Sequence, residues 1–190
     1  MKLILASESP GRKKVLEDAG FVFEVIPSNF EEDMAMPLSP KELTLYLSQG
    51  KARSVAANQK DAIVIGADTV GVFENTVLGK PHTEENSHRM LKMLSGNVHS
   101  MVTGLTVIDT RTHKEVCKSV ETKIWFREIP VEEIVKYTES GEALKKAGAY
   151  AYQAGGRKFV DRIEGSESNI VGLPIETLKE VLNELSPAIL

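Results

Sequence analysis

Ala62-Ile63-Val64-Ile65-Gly66-Ala67-Asp68-Thr69 is an apolar run that arrives at a carboxylate. The first four residues show no polar alternation, the pattern of a strand buried on both faces. A lone charge inside such a core is expensive. The sequence therefore places Asp68 at the end of a strand over 62–67. There it either opens an ordinary turn or reaches a place where water, a metal and a substrate meet. Loops at the strand ends of α/β sheets hold ligands, which gives the second reading weight.

Working outward from that strand, Lys2 to Ala6 reads as a first short buried strand. Ser9-Pro10 then opens a helix to about Ala19, with Ser9 as N-cap, Pro10 at the first position and Gly20 as the stop. A strand is expected over Phe21 to Ile26, then a loop over 27–38 with the acidic cluster Glu31-Glu32-Asp33. Ser39-Pro40-Lys41-Glu42 is a capping box opening a long helix. Gly50 inside that helix costs about 1 kcal/mol against Ala, so it needs a close-packing or ligand reason. After 62–67, Val70 to Phe73 and Thr76 to Leu78 form a hairpin about Glu74-Asn75. A helix follows from about Glu84 to Leu94. Long antiparallel strands are expected over Ser100 to Asp109 and Glu115 to Arg127, then a helix after Pro130. Strand-like pieces lie near Ala149 to Tyr152 and Phe159 to Ile163. The last helix starts at Leu173-Pro174, with Ile175, Leu178, Val181, Leu182 and Leu185 on one face. Strands that both alternate with helices and form hairpins predict an α/β chain with a mixed sheet.

The whole-chain numbers narrow the function classes. At 190 residues, 42% hydrophobic and 26% charged, the chain suits one large domain or one domain of two lobes. Net charge −4 argues against a broad nucleic-acid footprint. The single cysteine, Cys117, excludes an intrachain disulfide and fits a reducing cytoplasm. No apolar run reaches the roughly 18 residues of a membrane span. The apolar part of MKLILA is too short for a signal core.

Four features carry chemistry. Ser7 to Arg12, SESPGR, joins a strand to a helix N-terminus, where free N–H groups and the helix dipole favour an anion. Arg12 adds a forked donor suited to phosphate. An ordinary capped turn with a surface arginine is the commoner meaning of that pattern. Asp68 and the pair Glu31-Glu32 supply hard oxygen ligands of the kind that bind Mg²⁺ beside substrate phosphates. Taken alone, the acidic loop reads as solvated. Lys51 after Gly50, and Lys80 between Gly79 and Pro81, put cations on constrained backbone. In AGAYAYQAGG, residues 147–156, Gln153 could read a base edge with a donor and an acceptor together. The four histidines lack metal-ligand spacing, and no serine-hydrolase elbow or glycine-rich phosphate loop is present.

Together and in this order, these stretches resemble the Maf family of septum-formation nucleoside triphosphate pyrophosphatases. The matching segments are LILASESPGR, Glu31-Glu32, Gly50-Lys51-Ala52, GADT, LGKP (residues 78–81), SGNVH (95–99), Thr103-Gly104, AGAY, Gln153, Gly165-Ser166 and VGLP (171–174). The resemblance spans essentially the whole chain. It implies a two-lobed α/β fold, similar to inosine-triphosphate pyrophosphatases, with a long curved mixed sheet and a deep cleft. It implies release of pyrophosphate from a nucleoside triphosphate with Mg²⁺ or Mn²⁺, a homodimer, and an association with septum formation and cell-division arrest. Carried over, Asp68 is the carboxylate that activates water and Glu32 its acidic partner for metal. Ser7, Arg12, Lys51 and Lys80 lie at phosphate-contacting positions, Ser9 at a substrate-binding one, and Gly11, Thr69 and Gln153 at positions tied to substrate choice. Asp68-Thr69 with Gln153 resembles the subfamily acting on dTTP and UTP. One departure stands out: the family usually reads S-x-S-P-R-R, and Gly11 replaces the first arginine here. That predicts altered base preference or weaker affinity. A nucleotide-binding regulator without turnover and a purine pyrophosphatase of the inosine-triphosphate type are the alternatives.

Overall fold

The computed structural model describes residues 1–142, 144 and 146–186. Thirteen elements follow in order: β1 (Lys2–Leu5), α1 (Pro10–Asp18), β2 (Glu24–Val25), α2 (Pro40–Ala56), β3 (Ala62–Phe73), β4 (Thr76–Leu78), α3 (Glu84–Leu94), β5 (Val98–Asp109), β6 (Lys114–Phe126), α4 (Val131–Glu139), β7 (Val160–Glu164), α5 (Glu167–Val171) and α6 (Ile175–Leu185). The strands form one mixed sheet in the order β2-β1-β3-β5-β6-β7, with β4 paired to β3. β1 runs parallel to β2 and β3, whereas β3/β4 and β6/β7 are antiparallel. The expected mixed α/β class is what the chain adopts.

The chain divides into two compact units. Of the described residues, the first comprises those within 1–69, 102–120 and 166–186, the second those within 70–101 and 121–165. In the first unit the two-residue period of the strands sorts the core into two faces. Leu3, Leu5, Ile63, Ile65 and Ala67 point to one face, against Val15 and Leu16 of α1 and Leu178, Val181 and Leu182 of α6. Ile4, Ala6, Ala62 and Val64 point to the other, against Ala52 and Val55 of α2. Each fully buried Leu or Ile contributes about 1.5–3 kcal/mol, so both helical layers are held chiefly by apolar area. The second unit packs around aromatic rings: Phe126 lies 4.9 Å from Tyr150, and Tyr137 lies 5.0 Å from Phe159, both edge-on.

Helix starts follow their local chemistry. Ser9 accepts from the Arg12 amide at the head of α1. Ser39 and Glu42 form the reciprocal capping box of α2. Thr83 caps α3. The β3–β4 turn has Glu74 and Asn75 both at positive φ, 47° and 62°, as the twist of a two-residue hairpin requires.

Four features differ from the sequence reading. First, β3 does not stop before Asp68 but runs through it to Phe73, twelve residues in all. Thr69, Val70, Val72 and Phe73 all favour the extended backbone, and the Asp68 charge is paired off the face of the strand. Second, the strand expected over 21–26 shrinks to Glu24–Val25, because β1 offers only Ile4 and Leu5 as partners. Third, no strand forms at 149–152. Gly148 and Ala149 both have positive φ, 74° and 60°, which closes a tight 3₁₀ turn over Ala147–Ala149 instead. Fourth, a five-residue helix, α5, precedes Gly172, which turns left-handed at φ 112°.

Candidate active site

The site in the first unit starts from two glycines. A Cβ on Gly66 would overlap the Ser48 carbonyl and lie 2.8 Å from the Ala52 amide. A Cβ on Gly104 would overlap the Thr44 carbonyl. These notches let α2 press its backbone onto β3 and β5, and the Ser48 and Thr106 hydroxyls meet beneath it at 2.9 Å. That closeness is what allows Lys51, on α2, to reach Asp68, two residues beyond Gly66 on the same face of β3.

Lys51 Nζ lies 2.5 Å from Asp68 Oδ1 and 2.9 Å from Glu32 Oε1. Asp68 is 7% exposed, so its charge would be untenable unpaired. Two carboxylates facing one ammonium leave one net negative charge, a centre that still favours a cation. Glu32 arrives from the loop before α2, and its side chain is the most open of the three, at 44%.

Thr69, one residue on, points to the opposite face of β3. Its hydroxyl meets that of Thr103 on β5 at 2.9 Å. Arg12, in the first turn of α1, donates to it at 3.3 Å, to Ser7 Oγ at 2.9 Å and to the Gly172 carbonyl at 2.9 Å. Burial draws the Arg12 guanidinium pKa down, and the charges of Asp68 and Glu32 act against that shift. An arginine stays cationic under these opposing effects. Ser7, Arg12 and Thr69 thus form a second, cationic cluster across the strand from the acidic one.

Of the residues singled out from sequence, Glu32, Lys51 and Asp68 gather on one face of β3, and Ser7, Arg12 and Thr69 on the other. Ser9 caps α1, accepting from the Arg12 amide. Gly11 lies where a Cβ would come 3.0 Å from the Val171 side chain, so a larger residue there must displace that valine. Lys80, just after β4, and Gln153, in a turn before the Gly155–Phe159 3₁₀ helix, belong to the second unit, where both are exposed. The sequence reading gave no role to Thr103 or Gly172, although both sat in quoted motif stretches. A strand threonine and a post-helix glycine become informative only once their distant partners are known.

Among the described residues no three His, Cys, Asp or Glu side chains gather as a ready-made metal site. Glu32 and Asp68 both reach Lys51, and two such carboxylates suit a Mg²⁺-type ion that keeps most of its ligands as water and substrate phosphate. Among them, too, no helix is long and apolar enough to cross a membrane.

Comparison with known proteins bears on the chain as a whole. The chain is 46% identical over 183 residues to a dTTP/UTP pyrophosphatase of Thermoanaerobacter sp. (strain X514), covering 96% of this chain and 95% of that one. It is 44% identical over 184 residues to a dTTP/UTP pyrophosphatase of Carboxydothermus hydrogenoformans, covering 97% and 98%. For one of Methanosarcina mazei the figures are 42% over 189 residues, covering 99% and 96%. The fold resembles that of a solved HAM1 protein from Coxiella burnetii, with TM-score 0.52 at 14% identity over 97% of this chain and 99% of that one. The profile of the family described as Maf-like protein matches residues 2–185, and the chain belongs to that family.

Proposed function

We propose that this protein hydrolyses a nucleoside triphosphate, dTTP and UTP foremost, to the monophosphate and pyrophosphate. The observation that carries this reading is the convergence of Glu32 and Asp68 on Lys51, in a chain 42–46% identical to enzymes of that name over nearly full length.

Each group has a task its position suits. Asp68 accepts a proton from the attacking water as the anhydride bond between the α- and β-phosphates breaks and pyrophosphate leaves. Lys51, held beside it, stabilises charge that develops on phosphate oxygens. Glu32 and Asp68 would hold a divalent cation, Mg²⁺ or Mn²⁺, which neutralises the triphosphate and positions it. Arg12, anchored by Ser7 and Gly172, keeps guanidinium N–H groups in reserve for a phosphate, since a guanidinium has five. Thr69 fixes that guanidinium and adjoins Asp68 in the chain, so a change there would alter substrate placement. Lys80, Ser9, Gly11 and Gln153 are proposed as substrate-side residues on the strength of the family pattern alone.

The test is a panel of dTTP, UTP, CTP, 7-methyl-GTP, ITP and the common purine triphosphates with Mg²⁺ or Mn²⁺, following pyrophosphate against orthophosphate. Pyrophosphate from dTTP and UTP supports the reading. Pyrophosphate chiefly from a purine nucleotide keeps the reaction and overturns the substrate assignment. Binding without turnover would make the protein a nucleotide-binding regulator.

A further inference from the structure

Gly50 lies in the interior of α2, next to Lys51. Its reason is the Phe30 ring: a Cβ on Gly50 would overlap Cε1, Cε2 and Cζ of that ring. The ring also meets Tyr46, one turn earlier on α2, edge-on at 5.7 Å. Ser28, two residues before Phe30, binds the Ser54 hydroxyl of α2 at 2.9 Å and accepts from the Phe30 amide at 3.1 Å. Ser54 in turn donates to the Lys51 carbonyl at 3.0 Å. The loop is therefore tied to α2 on both sides of the residue that bears the ring. Two residues after Phe30, Glu32 meets Lys51.

We propose that Phe30 is the positioning residue of this centre: its ring, seated in the notch at Gly50, holds the acidic loop so that Glu32 and Asp68 share one cation. Without the notch the ring has no seat on the helix, and without the ring the stretch leading to Glu32 is held to α2 only through Ser28 and Ser54. The ring lines an open groove of about 430 Å³ with Tyr46, Gln49, Arg53 and Ser54. It is thus no part of the sealed core, and thermal unfolding of Phe30→Ala should show the fold retained. The proposal rests on the pyrophosphatase reading for its catalytic consequence, and on the loop alone for its structural one.

The experiment compares Phe30→Ala, Phe30→Tyr, Gly50→Ala and the double variant Phe30→Ala/Gly50→Ala with the unaltered chain. Two quantities are read: amide hydrogen exchange over residues 28–33, and the Mn²⁺ concentration that half-saturates dTTP turnover. Misplacing the support of a metal-ligating side chain typically weakens metal affinity or activity about 10–100-fold. Phe30→Ala should show faster exchange across 28–33 and a rise of that order in half-saturating Mn²⁺. Phe30→Tyr, which keeps the ring, should restore both. Gly50→Ala should mimic Phe30→Ala, and the double variant should be no worse than either. Exchange and Mn²⁺ dependence within about twofold of the unaltered chain, the noise of independent sites, would overturn the proposal. So would effects in the double variant that multiply. If the unaltered chain turns over no nucleotide, the enzymatic reading fails instead, and hydrogen exchange alone still decides whether Phe30 holds the loop.

Discussion

Asp68 and His99 are almost equally removed from water, at 7% and 2% exposed, yet their surroundings differ. Asp68 lies against Lys51, as half of an ion pair. His99 lies among rings, 4.7 Å from Phe126 and 5.4 Å from Tyr150. Its Nε2 shares a 2.9 Å hydrogen bond with the Tyr150 hydroxyl, and among the described residues nothing bonds its Nδ1. Burial pushes the imidazole pKa down to about 4 and the Tyr150 hydroxyl upward, so both groups are neutral at physiological pH. A buried ionisable group is tolerated either by pairing its charge or by surrendering it. The first unit pairs, and the proposed chemistry would use that charge. The second unit surrenders, because its aromatic core needs packing.

The contrast is broken most sharply by Asp68→Asn. The amide matches the carboxylate in shape but can neither accept the water's proton nor carry the charge. Pyrophosphate release should fall about 10²–10⁴-fold, the range of a lost general base, while thermal unfolding shows the protein still folded because Glu32 continues to pair Lys51. Turnover within tenfold of the unaltered chain would remove Asp68 from the proton transfer.

The neutral side of the contrast is read by pH. His99 titrates at about 4 when folded, against an ordinary value of 6.5. Below pH 6.5 the unfolded chain takes up a proton there that the folded chain refuses. The contribution to stability is therefore complete above 6.5, declines as pH falls, and is gone below about 4. At about 1.4 kcal/mol per pH unit, a shift of this size is worth roughly 3 kcal/mol. Denaturant unfolding of the unaltered chain and of His99→Gln, measured from pH 7 to 4, should diverge by that order, with the variant losing less. Parallel curves would mean that His99 takes up its proton equally readily in both states.

Much of this layout was legible in the chain, and the exceptions share a cause. Capping residues announced α1 and α2, and Glu74-Asn75 announced the hairpin, because those signals act within a few residues. The opposite faces of Asp68 and Thr69 were not legible, because the two-residue period reaches them only once β3 runs on through both. The continuation of β3 through Asp68 was hidden because its partner, Lys51, lies seventeen residues earlier on a helix. A charge that looks like a strand's end is a strand's middle once tertiary contact pairs it. The turn at Ala147–Ala149 was hidden because a left-handed Ala149 is exceptional for its residue type, and α5 because five residues are too few to show a helical period. Glu32 and Lys51 were candidates by residue type and family pattern. Their convergence depends on Phe30 and Gly50, and an aromatic beside an acidic cluster carries no periodic signal.

Gly66→Ala tests whether the charged side of the contrast depends on the close approach of α2. The new methyl would overlap the Ser48 carbonyl and meet the Ala52 side chain and amide at 2.8 Å, and a backbone carbonyl cannot swing aside as a flexible side chain does. α2 must therefore lift from β3. Overpacking of this kind costs about 1–3 kcal/mol, read as a lower midpoint in urea. The displacement acts on the helix that carries Lys51, one residue from the contact, so pyrophosphate release should fall as well. The pH dependence of stability assigned to His99 should persist, since Gly66 belongs to the first unit and His99 to the second. A variant that loses stability but keeps full turnover would show that Lys51 reaches Asp68 through its own flexibility. The glycine would then serve only the packing of the helix, and the charged cluster would owe nothing to the notch beneath it.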